Sequence, residues 1–287
     1  MKFGIVFANA GPWGLPDNAA ALGEAAEEFG IESLWTVEHV VVPKGYQSAY
    51  PYSSSGRMPG GEDAPIPDPL VWLAYVAART TTVRLCTGVI ILPQRNPLLL
   101  AKEVATLDVM SGGRVTLGVG VGWLEEEFDA LGVPFAERAA RTDDIIEALR
   151  AAWTQDPASH ESEFQPFKDV HVRPAPVQSG GVPIVVGGHS PAAARRAGRL
   201  GDGFFPARGD LDALPGLLRE MRDTAAAHGR DPDSIEVTTG GAMDLDGIRR
   251  YADAGVHRLV IPPLAFDPAG LRDGLARFHD TVISKLD

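Results

Sequence analysis

Short apolar runs alternate with longer helical patterns along the chain. The first run covers residues 2–7, and residues 18–29 follow with Ala, Leu and Phe at helical spacing among glutamates. Gly30 stands where a left-handed residue closes such a helix. A second run, 33–37, precedes a polar stretch over 43–67. Asp68 then reads as an N-cap with Pro69 in the first helical position, opening a helix over 70–79. The third run, 83–91, is unbroken and β-branched, which predicts a strand buried on both faces. A helix over 97–110 follows, closed by Ser111, Gly112 and Gly113.

The fourth run, 114–119, leads through a glycine-rich turn into helical patterns over 124–131 and 138–153. Residues 154–182 have no clear period and carry four prolines, so they read as an insertion. Four more pairs complete the chain: run 183–186 with helix 191–200, 203–206 with 211–227, 235–239 with 246–254, and 258–261 with 268–286. Strands alternating with helices imply parallel βαβ units. Eight such units predict an α/β fold, a single (β/α)8 TIM barrel over residues 1–287, with insertions after strands two and four. A doubly wound sheet, the competing arrangement, has fewer strands and an early dinucleotide-binding turn. In a barrel, chemistry belongs to the loops at the carboxyl ends of the strands. Those loops are 9–12, 38–43, 87–96, 118–123, 187–190, 206–208, 239–243 and 262–264.

Composition narrows the function. The chain has 287 residues, which exceeds the roughly 250 of a typical barrel only by its loops. With 26 Lys+Arg against 38 Asp+Glu, the net charge of −12 argues against nucleic acid or an anionic membrane as partner. The lone cysteine, Cys86, forms no internal disulfide and fits a reducing cytoplasm. No apolar stretch approaches the roughly 18 residues that span a bilayer, and the N-terminus reads as a first strand rather than a signal peptide. These features predict a cytoplasmic protein acting on a small molecule.

Glu38 and His39 close the second strand, where barrel enzymes place catalytic groups. A histidine exchanges protons near neutral pH and a neighbouring acid tunes it; alternatively, it only hydrogen-bonds loop backbone. Gly187, Gly188, His189 and Ser190 join the fifth strand to a helix that opens with Pro191. Backbone N–H groups and the helix dipole there suit a phosphate, with Arg195 or Arg196 one turn later as reinforcement; an ordinary tight turn has the same composition. Gly118, Gly120 and Gly122 follow the fourth strand without the context of a dinucleotide fold. They would let a flat ring or ligand chain lie on bare backbone, with Trp123 as pocket wall or as core packing. Thr87, Gly88 and Val89 mark a bulge or close backbone approach within the third strand. The seven histidines are scattered without ligand spacing, so no metal site is expected.

The stretches Asp68-Pro69-Leu70, Thr87-Gly88-Val89-Ile90-Ile91-Leu92-Pro93 and Asn96-Pro97 resemble the bacterial luciferase-like monooxygenase superfamily. Residues 107–114, 118–123, 183–190 and 201–204 continue the resemblance, which is closest to the coenzyme F420-dependent oxidoreductases. It implies a homodimeric barrel binding F420, or FMN as the alternative, at the carboxyl ends of the strands. The loop from Gly187 to Ser190 would hold the cofactor phosphate. The bulge at Thr87, Gly88 and Val89 would support the ring system, with a cis peptide at Gly88–Val89. Gly120 and Glu126 match positions lining the ring and its side chain, and His39 beside Glu38 would move the proton. Asn9 and Trp123 are the candidate substrate contacts. The sugar-phosphate dehydrogenases of this superfamily carry an acid where Trp123 stands and a tryptophan shortly after the histidine. Here Val40, Val41, Val42 and Pro43 follow His39, which predicts a different substrate. Trp123, Tyr46, Tyr50 and Tyr52 suggest a more apolar or aromatic one.

Overall fold

A computed structural model describes residues 1–206 and 209–286. The first half of the chain runs β1 (Lys2–Val6), α1 (Pro16–Glu28), β2 (Ser33–Thr36), α2 (Pro69–Ala77), β3 (Arg84–Thr87), β4 (Ile90–Ile91), α3 (Pro97–Ser111) and β5 (Val115–Gly120). The middle adds α4 (Glu125–Ala130), α5 (Arg138–Thr154) and the strands β6 (Ala158–His160) and β7 (Phe167–Val170). The remainder is β8 (Ile184–Gly187), α6 (Pro191–Leu200), β9 (Gly203–Phe205), α7 (Leu214–Ala227), β10 (Glu236–Gly240), α8 (Leu245–Asp253), β11 (Arg258–Ile261) and α9 (Pro268–Thr281).

Strands pair in the order β3-β2-β1-β11-β10-β9-β8-β5, and β3 returns to pair with β5. Every one of these pairings is parallel, so eight strands close into the expected α/β barrel. The alternation of side chains along each strand sorts the core into two parts. Trp35, Cys86, Val185, Phe205 and Val260 fill the barrel interior, where Trp35 and Phe205 meet edge to face at 5.3 Å. Phe3, Ile5, Leu34, Leu85, Leu117 and Ile184 instead face the surrounding helices.

Local sequence signals explain the helix ends. The Asp68 carboxylate accepts the backbone N–H groups of Leu70 and Val71 at the start of α2. Asn96 does the same for Leu98 and Leu99 at α3, and Ser190 for Ala193 at α6, each followed by proline. Gly30 and Gly112 take left-handed φ values of 74° and 70° where α1 and α3 end.

The structure corrects two expectations. The third run is not one strand: four steps from Cys86 to Ile90 face three from Thr116 to Val119, so one extra residue bulges out between β3 and β4. The peptide bond Gly88–Val89 within that bulge is cis. The second insertion is also not featureless, because β6 and β7 pair antiparallel with an irregular register. Its strands are short and half exposed, which leaves no alternation to read. Among the described residues, no helix is long and apolar enough to cross a membrane.

Candidate active site

The β2 strand delivers Glu38 and His39 to the barrel mouth, but the two side chains do different work. Glu38 is 5% exposed. Its Oε2 accepts the Ile91 N–H at 2.5 Å and its Oε1 pairs with the Arg95 guanidinium. Both oxygens are committed to the segment that follows the bulge, so Glu38 does not touch His39's proton. His39 Nδ1 lies 2.9 Å from Oε2 of Glu127, whose side chain is 1% exposed. Glu127 Oε1 accepts the N–H groups of Val40 at 2.6 Å and Val41 at 3.2 Å. Among the described residues no hydrogen bond reaches Nε2 of His39.

Glu127 escaped the sequence reading because it lies 88 positions from His39. One signal was present: Leu124, Glu127, Phe128 and Leu131 fall at i, i+3, i+4 and i+7, which places an acid on the buried face of a short helix. Leu124 and Phe128 are 1% and 0% exposed, as that pattern demands. Arg95, the partner of Glu38, left no such signal.

Trp123 joins the site from the end of β5. Its ring meets His39 edge to face at 5.5 Å, Tyr46 at 5.6 Å and Tyr50 at 5.2 Å. Tyr50 continues to Tyr52 at 5.3 Å, and Tyr52 to His189 at 5.1 Å. An aromatic strap therefore crosses the barrel mouth from the end of β2 to the end of β8. Burial, with Tyr52 and Tyr46 beside it, pushes the Tyr50 phenol up to about 12, so it stays neutral. Glu126 anchors this strap: its Oε1 accepts the N–H groups of Gln47 at 2.6 Å and Ser48 at 3.1 Å. The Ser48 hydroxyl and the Gln47 N–H hold its carboxyl down at about 2. Asn9 is a second anchor. It donates to Val37 O and Pro67 O and accepts from Val37 N, which occupies its amide with backbone.

The glycines of β5 and β8 have a steric cause. A Cβ on Gly118 would lie 1.8 Å from Thr87 O, and one on Gly120 2.5 Å from Val89 Cγ2. A Cβ on Gly187 would meet Val89 Cγ1 at 2.7 Å. Bare backbone on two strands thus receives the bulge, where the sequence suggested a ligand ring. Thr87 completes the fit by donating its hydroxyl to Gly118 O at 2.7 Å.

At the end of β8, Gly188 takes φ 129° and its N–H donates to Phe205 O at 3.1 Å. Ser190 caps α6, as expected of the turn. The arginines of α6 point away from the turn. Arg195 pairs with Glu220 on α7 at 2.8 Å, and Arg196 pairs with Asp143 and donates to Ala139 O on α5. Neither reinforces an anion site at Gly187–Ser190, because helical phase turns both toward neighbouring helices. The loop at 206–208 includes Ala207 and Arg208, which lie outside the described residues.

A cavity of about 200 Å³ opens beside His39, lined by Glu38, Val40, Ile66, Asp68, Pro69 and Arg95. It touches His39 alone among the predicted ligand contacts and the proton-transfer candidate, Glu38 apart. Its volume is below the roughly 300 Å³ of ordinary ligand sites.

Comparison with known proteins agrees with this architecture. The luciferase-like monooxygenase model matches residues 1–260, and the chain belongs to that family. An uncharacterised protein of Mycobacterium tuberculosis is 33% identical over 287 residues, covering 100% of this chain and 99% of its own. The F420-dependent glucose-6-phosphate dehydrogenase of Nocardia farcinica is 34% identical over 221 residues, covering 74% of this chain and 64% of its own. The crystal structure of monooxygenase RslO1 from Streptomyces bottropensis superimposes with a TM-score of 0.77 at 26% identity, covering 100% of both chains.

Proposed function

From membership of the luciferase-like family, we propose that this chain is an F420-dependent oxidoreductase, moving a hydride between coenzyme F420 and a small organic substrate. The observation that carries the reading is His39, buried at the mouth with Nδ1 held by Glu127 and, among the described residues, no partner on Nε2. The mouth fits a planar ring with an anionic tail: aromatic faces at Trp123 and Tyr50, a glycine-backed bulge, and a helix start capped by Ser190. F420 supplies a two-electron hydride carrier when bound.

Thr87, Gly88 and Val89, backed by Gly120 and Gly187, form the wall that supports the ring, and the Ser190-capped start of α6 offers its positive end to the phosphate. His39 moves the accompanying proton at Nε2. Glu38, Glu126 and Asn9 serve by holding loops. The net charge of −12 repels an anionic cofactor at long range, so affinity rests on these local groups. Trp123 and the tyrosines favour an apolar or aromatic substrate over a sugar phosphate. Two helices support a homodimer: α2 exposes Val71 (70%) and Tyr75 (43%), and its neighbour α3 exposes Leu99 (66%) and Met110 (78%). We place the protein in the cytoplasm, where its buried Cys86 stays reduced.

An FMN-dependent monooxygenase is the second reading, favoured by the full-length likeness to RslO1. Equilibrium titration with F420, FMN and NADPH side by side separates the two. Saturable F420 binding at least ~10-fold tighter than FMN is expected, and tighter FMN binding would transfer the chain to the second reading.

A further inference from the structure

The carboxylate of Glu127 is saturated in an asymmetric way. Oε1 takes two backbone N–H groups, from Val40 and Val41, which can only donate. Oε2 faces Nδ1 of His39 at 2.9 Å, and a carboxylate this well supplied with donors is an acceptor there too. The shared proton therefore sits on Nδ1. In neutral imidazole the other nitrogen must then carry the lone pair.

We propose that Glu127 is the positioning residue that fixes the tautomer of His39, so that neutral His39 presents Nε2 at the mouth as a proton acceptor. His39 takes a proton at Nε2 when substrate is oxidised, and the resulting imidazolium returns it from the same atom in the reverse direction. Val40 and Val41 follow His39 directly, so one carboxylate sets the path of the loop and the proton inventory of the ring together. Glu38, although adjacent in sequence, takes no part.

The same geometry says what a neutral isostere does. In Glu127→Gln the Val40 and Val41 N–H groups still require an oxygen, so the introduced amide keeps its carbonyl on them. Its NH2 then faces Nδ1 and donates to it. The ring proton is driven to Nε2, and the acceptor at the mouth becomes a donor.

This inference deepens the oxidoreductase reading but is tested on the chain without any cofactor. The full-length protein is labelled with 15N-histidine, and His39 is identified by the signal lost in His39→Gln. At a pH where the ring is neutral, long-range 1H–15N spectra should show Nδ1 protonated over Nε2 by roughly ten-fold or more, the scale of a charge-assisted hydrogen bond. Glu127→Gln should invert that preference, and Glu126→Gln, which touches only the strap, should leave it alone. A wild-type His39 protonated on Nε2 overturns the proposal even if Glu127→Gln fails to fold. So does a folded Glu127→Gln protein with an unchanged tautomer. Titration of the same wild-type sample with F420 keeps the two claims apart: absent F420 binding with the Nδ1 proton in place removes the cofactor assignment and leaves the role of Glu127 standing.

Discussion

The two ends of the barrel use the same residue types for opposite purposes. At the amino end, carboxylates are answered by cations. Arg258 makes a bidentate pair with Glu32 at 2.8 Å and reaches Glu236 at 2.6 Å, while Lys2 meets Glu236 at 3.0 Å. The guanidinium also sits 5.5 Å below the Trp35 ring that plugs the interior. At the carboxyl end, Glu126 and Glu127 are answered by backbone N–H groups of loops, and Glu38 divides its oxygens between one N–H and Arg95. A closed network of opposite charges makes a rigid floor. Carboxylates spent on loop backbone instead fix the shape of a mouth, and among the described residues no hydrogen bond reaches Nε2 of the His39 they surround. The lesson is that an acid at the catalytic end of a barrel need not be a catalytic acid.

The contrast breaks first at His39. His39→Ala should cut turnover by roughly 10²-fold or more while leaving F420 affinity within a few-fold, as expected when a proton-transfer group is lost. Steady-state kinetics and binding on the same preparation check both halves, and unchanged turnover would remove His39 from the mechanism. At the floor the pattern reverses. Arg258→Met strands the partly exposed Glu32 and leaves Glu236 to Lys2 alone, and should cost about 2 kcal/mol in urea unfolding with F420 affinity intact. An F420 affinity that fell along with stability would show that the two ends are coupled.

Smaller effects sharpen the comparison. Gly120→Ala must push Val89 aside and should cost about 1 kcal/mol, with weaker F420 binding because the bulge moves. A stability loss without any change in binding would separate the bulge from the cofactor. The smallest effect concerns acid. Burial acts to raise Glu27, but the N–H groups of Thr82, Val83 and Thr81 outweigh it and bring the carboxyl from 4.5 down to about 2. Glu126 is lowered from 4.5 to about 2 by the Ser48 hydroxyl and the Gln47 N–H at the other end. Each carboxylate therefore contributes stability above pH 4.5 that is lost as pH falls toward 2. Glu27→Gln should flatten the acid dependence of global unfolding the more, whereas Glu126→Gln should flatten it less and also flatten the acid response of the strap around Trp123. Global unfolding that responds equally to both would contradict the division of labour.

What the sequence made legible follows the range of the interactions. Caps at Asp68, Asn96 and Ser190 act over two or three residues, so helix starts could be placed from local spacing. The eight strand runs could be counted because they are short, mostly apolar or β-branched, and separated by helical patterns. The bulge was visible as Gly88, but its extra residue shows only in the pairing with β5. The glycines at 118, 120 and 187 were seen, yet what fills them comes from another strand. The site failed to read in the same way. Arg195 and Arg196 lie near the turn in sequence, while their helical phase delivers them to Glu220 and Asp143. Glu127 is 88 positions from the histidine it holds, so the adjacent Glu38 looked like the partner. Adjacency misleads at the end of a strand because successive side chains point to opposite sides.

The account is tested most directly by a crystal structure of this chain grown with F420. The predicted result places the deazaflavin ring against Thr87, Gly88 and Val89 with Nε2 of His39 toward its reactive face, and the Tyr52 end of the strap shifted off His189 to admit the phosphate tail. Density for the cofactor in the Glu38–Arg95 cavity, or a ring far from His39, would contradict it.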